Sequence, residues 1–203
     1  MPTEKSGPPG RNPAQTSEPP SELQTDSPSE AILKPALRLL TARARSVKEL
    51  RERLLKKGFT TSDTSNCIRW LVNRDLLNDE SFARSFTRDR LRFSPRSPFL
   101  LKREATTKGV ATALAGDVVE SVLQEEGVSA DDLSARAAES WIRKQSTSTR
   151  KELLGDRFKP ETEKARRRLH GFLARRGFAG DAAHRGLEAG RKKAEELERE
   201  AGS

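Results

Sequence analysis

One short pattern occurs three times along the chain and restricts its fold more than any other feature. Gly58, Gly109 and Gly177 are each preceded by a cation (Lys57, Lys108, Arg176) and followed by an apolar residue (Phe59, Val110, Phe178). Leu50, Leu101 and Leu169 stand eight residues before the glycine, and Leu54, Ala105 and Leu173 stand four before it. Steps of four keep side chains on one helix face, and a glycine closing such a run reads as a left-handed cap. The chain is therefore expected to repeat one helical element, and the columns extend beyond it. Ile68, Leu71 and Val72 in the first copy align with Val119, Val122 and Leu123 in the second, whereas the third keeps only Leu187. Its last helix, through Arg191, Lys192 and Glu195 to Glu198, reads as too polar to bury a full face, as suits a terminal repeat.

Each copy also has a leading helix, at about 31–44 with Leu37 and Leu40, 79–92 with Phe82 and Phe86, and 130–144 with Leu133 and Trp141. Ser46 with Glu49 forms a capping box, Ser97 before Pro98 starts the repeated helix of copy two, and Pro160 with Glu161 and Glu163 starts that of copy three. No alternating strand pattern is present. The expected fold is all-α: three tandem three-helix repeats, nine short helices in all, forming an elongated, curved body. The expected divisions are a disordered, Pro-rich tail over 1–30, repeat 1 over 31–78, repeat 2 over 79–129, and repeat 3 over 130–203. The last repeat is expected to hold a polar insertion, Ser146 to Lys159, and a charged C-terminal helix. With 33% apolar and 34% charged residues, a segmented core is expected in place of one thick core.

The charge is unevenly placed. The first thirty residues hold two basic residues, Lys5 and Arg11, against five acids, so the net charge of +9 rises to +12 over the remainder. Arg38, Arg43, Arg45, Lys48, Arg51, Arg53, Lys56 and Lys57 cluster in copy one, and Arg84, Arg88, Arg90, Arg92, Arg96, Lys102, Arg103 and Lys108 in copy two. Arg166, Arg167, Arg168, Arg175 and Arg176 follow in copy three. An acidic block runs from Asp117 to Glu139, and this segregation implies opposite electrostatic faces suited to a polyanion or a filament. The plainer reading is that these side chains solvate helix faces, with Glu49–Arg53 and Glu52–Lys56 as i,i+4 pairs. Candidate binding residues are Arg43, Arg45, Lys48, Arg51, Arg53, Lys56, Lys57, Arg88, Arg92, Lys102, Arg103, Lys108, Arg167, Arg168, Arg175 and Arg176. Structural residues are Leu50, Leu54, Gly58, Phe59, Leu101, Gly109, Leu169, Gly177 and Phe178.

Nothing in the sequence assembles a catalytic or metal site. His170 and His184 lack ligands at metal spacing, the glycines stand singly at helix ends, and Trp70 and Trp141 fit core stripes. A single cysteine, Cys67, makes no internal disulfide and reads as a buried thiol. Without an apolar N-terminal run, a cytoplasmic, non-enzymatic binding protein with no cofactor is expected.

The run ALRLLTARARSVKELRERLLKKGF (36–59), followed by LNDESFA (77–83), resembles the RecX recombination regulators. The similarity extends from about residue 31 to 190 and includes KGV (108–110) and FLARRGF (172–178). The chain departs from the family pattern at Ser94–Phe99 and in its longer polar tail after Gly190. The resemblance implies three tandem three-helix repeats that bind the RecA filament on single-stranded DNA, lodge in its groove, and restrain its ATPase, strand-exchange and co-protease activities. It also implies direct contact with single-stranded and double-stranded DNA; a monomer without membrane association is expected. The alternative is a general helical DNA-binding module with no recombinase partner.

Overall fold

The computed structural model describes residues 27–202. Apart from residues 27–30, the expected tail lies outside them. The described residues form ten helices and no strand: α1 (Glu30–Ala42), α2 (Val47–Lys56), α3 (Thr61–Val72), α4 (Asp79–Phe93), α5 (Pro98–Thr107), α6 (Thr112–Glu125), α7 (Ala130–Ile142), α8 (Thr147–Leu154), α9 (Pro160–Arg175) and α10 (Gly180–Ala201). Helices pack chiefly within their own group. α1–α3 form one, α4–α6 a second, and α7, α9 and α10 a third to which α8 is added. The tenth helix is α8, where a polar insertion was expected. Ser146 accepts the Thr149 N–H to start it, and Leu153 buries its inner face.

The repeated glycines end α2, α5 and α9 in one way. Gly58, Gly109 and Gly177 adopt φ of 90°, 102° and 81°. The amides of Phe59, Val110 and Phe178 then reach back to the carbonyls of Leu54, Ala105 and Leu173, at 3.4, 3.2 and 3.1 Å. This Schellman arrangement requires a left-handed residue and brings the apolar residue after it onto the one five positions earlier. That is the physical content of the repeated columns. Leu50, Leu54, Leu101, Ala105, Leu169 and Leu173 are all fully buried.

Two apolar cores result. Ile32, Ala36, Leu50, Leu54, Cys67, Ile68, Leu71 and Leu77 form one inside the first unit. A second runs without a break from Phe82 to Ala194 through units two and three. Burial raises the Cys67 thiol pKa, as expected of a structural cysteine. The last helix corrects one expectation, because α10 packs a full face with small residues instead of large ones. Ala183, Gly186, Gly190 and Ala194 are buried in it, and a Cβ at Gly186 or Gly190 would run into Leu173 or Leu169 of α9. Close backbone approach replaces bulk there.

Candidate functional site

Consecutive units are joined by one device used twice. Ser46, the N-cap of α2, accepts the Glu49 N–H (3.1 Å) and donates its hydroxyl to the Lys108 carbonyl at the end of α5. Ser97, the N-cap of α5, accepts the Leu100 N–H (3.2 Å), while its own N–H donates to the Arg176 carbonyl at the end of α9 (2.9 Å). Ser46 and Ser97 stand at the same distance before Gly58 and Gly109, so each repeated helix starts on the capped end of the next. Gly109 and Gly177 permit this approach, since a Cβ would collide with Lys48 in the first case and Ser97 in the second.

The candidate basic residues divide accordingly. Several serve the junctions. Lys108 pairs with Glu49 (2.8 Å), which also takes Arg43 (2.8 Å), and Lys48 donates to the Thr107 carbonyl (3.3 Å). Arg176 donates to Ser94 and to the Pro95 carbonyl (3.2 and 2.8 Å) and lies over the Phe172 ring. Burial, then Arg96 and Arg90, lower its pKa. Others are neutralised within a unit: Arg88 by Glu125 and Glu126, Lys102 by Glu120, and Arg167 by Glu163. Arg51 donates to Ser65 (3.1 Å), and Arg92 lies over Phe93. Arg53, Lys56, Lys57, Arg103, Arg168 and Arg175 are exposed and make no ion pair. Arg45 is half-buried, donating from Nε to the Leu39 carbonyl (3.0 Å).

Three sequence expectations are corrected here. The Ser46–Glu49 capping box is half formed, because the Glu49 carboxylate turns to Arg43 and Lys108 instead of back to the Ser46 amide. The same turn leaves the Glu49–Arg53 pair unmade, and Glu52 makes no ion pair with Lys56. The α6 part of the acidic block does not oppose the second basic cluster but lies on it: α6 packs on α4 and α5, so Glu125 reaches Arg84 and Arg88 while Glu120 reaches Lys102.

Trp141, Gln145, Ser146, Thr149, Arg167, Arg168, Gly171 and Arg175 line a shallow groove of about 430 Å³ on the third unit. Trp141 packs against Phe172 on its inner side. Phe93 and Phe99 stand exposed at the turn between α4 and α5, a placement that periodicity had no means of signalling. Among the described residues no cluster of His, Cys, Asp or Glu could hold a metal ion, and no helix is long and apolar enough to cross a membrane.

Residues 36–71 match the family model described as RecX, first three-helix domain, and residues 78–119 match RecX, second three-helix domain. The chain is 35% identical over 165 residues to the regulatory protein RecX of Mycobacterium avium (strain 104), covering 81% of this chain and 87% of that one. It is 30% identical over 164 residues to the regulatory protein RecX of Prosthecochloris aestuarii, covering 81% and 96%. The crystal structure of RecX from Lactobacillus salivarius superposes with a TM-score of 0.56 at 21% identity, over 79% of this chain and 94% of that one, a likeness of fold.

Proposed function

The chain belongs to the RecX family, and we propose that it binds RecA on single-stranded DNA and restrains the filament's ATPase, strand-exchange and co-protease activities. The observation that carries this reading is charge left over after folding. Junctions and ion pairs use much of the basic clusters, yet Arg53, Lys56 and Lys57 stay exposed and unpaired along one repeated helix. They suit an acidic protein surface beside a phosphate backbone. In this reading the repeats span 31–78, 79–129 and 130–203, and a monomer acts in the cytoplasm without catalytic chemistry of its own. Occupancy of the filament obstructs protomer addition or ATP-driven rearrangement. The test is RecA ATPase on single-stranded DNA with the protein titrated in. Turnover should fall, and unchanged turnover at saturation removes the reading. The double variant Lys56→Glu, Lys57→Glu should lose inhibition with its circular dichroism unchanged, because both side chains point away from the core.

The groove holding Trp141, Arg168 and Arg175 favours direct contact with DNA as a second reading. Substituting both arginines with Gln should weaken naked single-strand binding and lower its log–log salt slope by about 1.4 if each meets one phosphate.

A further inference from the structure

Superposing the first two repeats by sequence exposes a pairing that one makes and the other lacks. Gly58 and Gly109 set an offset of 51, under which Ser46 equals Ser97, Leu50 equals Leu101, Arg45 equals Arg96 and Arg53 equals Glu104. In the second unit, the Glu104 carboxylate accepts a hydrogen bond from Arg90 Nε (3.1 Å) and lies 3.0 Å from Arg96 Nε, an ion contact without hydrogen-bond alignment. In the first unit the carboxylate is replaced by Arg53, and of the two arginines that would receive it one is retained as Arg45, while Leu39 stands in the place of Arg90. Arg45 Nη1 is buried without an acceptor. Glu49, the acid nearest in sequence, is committed to Arg43 and Lys108. Burial, then Arg43 and Arg53, disfavours the charged form of Arg45, and Glu49 offsets them only in part, so positive charge is concentrated there.

We propose that Arg45 and Arg53 form the receiving half of an intermolecular ion pair for a carboxylate of the partner protein, in the place that Glu104 fills within the second unit. This assignment rests on the reading of RecA as the partner. A carboxylate is favoured over a phosphate because the fold seats one at the equivalent position, and a planar carboxylate matches the edge of a guanidinium that is already half recessed. Arg53, on the exposed face of α2, adds the outer contact.

The decisive variant is Arg53→Glu, which supplies within the chain the acid that the second unit carries. Its melting temperature should equal or exceed the wild-type value, because Arg45 gains a partner. A fall would overturn the equivalence of the two sites. Affinity for RecA-coated single-stranded DNA, read by fluorescence anisotropy of a labelled strand, should drop at least about tenfold. Naked single strand should lose no more than with Arg38→Glu, a reversal of equal charge on α1. Arg53→Gln, which removes the cation without supplying an acid, should cost filament affinity less than Arg53→Glu. Wild-type filament affinity in Arg53→Glu, or an equal loss on naked and coated strands, overturns the assignment, the second result pointing to a phosphate. Failure of the RecA reading would appear separately, as a wild-type protein with no preference for coated strands.

Discussion

At the junction of units one and two, Ser46, Lys48 and Glu49 meet the end of α5 through polar groups, and the Val47 amide adds a bond to Asp79 (2.8 Å). At the junction of units two and three, Ser97 meets the end of α9 in the same register, but one buried apolar cluster also joins the two units. The first unit keeps its own core. Hydrogen bonds exchanged with water contribute on the order of 1 kcal/mol each, whereas each large buried side chain contributes about 1.5–3 kcal/mol. One joint in two copies is therefore expected to couple neighbours to different degrees: polar contacts alone hold the first unit, and the other two, sharing buried apolar residues, should fold as a pair.

The largest expected effect tests that pairing directly. Leu169→Ala opens a cavity in the shared cluster and should cost about 2–5 kcal/mol. Hydrogen exchange should accelerate across α4 to α10 while α1–α3 keep their protection; equal acceleration in α2 would break the distinction. Leu54→Ala should do the converse, releasing only the first unit.

Glycine replacement separates cap from junction. Gly58→Ala meets no neighbour and should cost the left-handed strain alone, about 1–2 kcal/mol. Gly177→Ala adds a collision with Ser97 and Leu100, and Gly109→Ala one with Lys48, each raising the loss by a further ~1–3 kcal/mol. Equal melting temperatures for the three variants would show that the junctions yield freely.

The smallest effect concerns acid. Burial raises the Glu49 pKa, but hydrogen bonds from Arg43 and Lys108 outweigh it, and the net shift is downward. A carboxylate with a depressed folded pKa adds stability above its unfolded pKa and loses it as pH falls through the folded one. The first junction should therefore loosen on acidification by less than ~1 kcal/mol, while the Arg176 bonds, made to Ser94 and a carbonyl, hold. Glu49→Gln should remove this pH dependence from exchange rates in α2.

Much of this architecture was legible in the sequence because it is local. A glycine, the leucine eight before it and the apolar residue after it are tied by backbone hydrogen bonds within one helix end, so three copies announce three ends. The α8 helix was hidden because its eight residues bury chiefly Leu153, too little for any periodicity. Gly186 and Gly190, expected with the other glycines at helix ends, lie inside α10 and let it lie close on α9 and α7. The candidate basic residues were visible only as a set. Which of them stay free depends on Glu49, Glu120 and Glu125, whose partners Lys108, Lys102 and Arg88 lie 18 to 59 residues away and are chosen by packing.

The serine-to-cap joint also gives the array a direction of growth. Each joint needs a serine start on the upstream helix and a glycine end on the downstream one. In the third unit, α9 begins early at Pro160, so the residue in the serine register is Ala165, buried in mid-helix. No helix start remains there to lay on a following unit. A Cβ at Gly58 would meet nothing within 4 Å among the described residues, so no serine start lies on that helix end there. By this joint, a further unit would fit only upstream of the first.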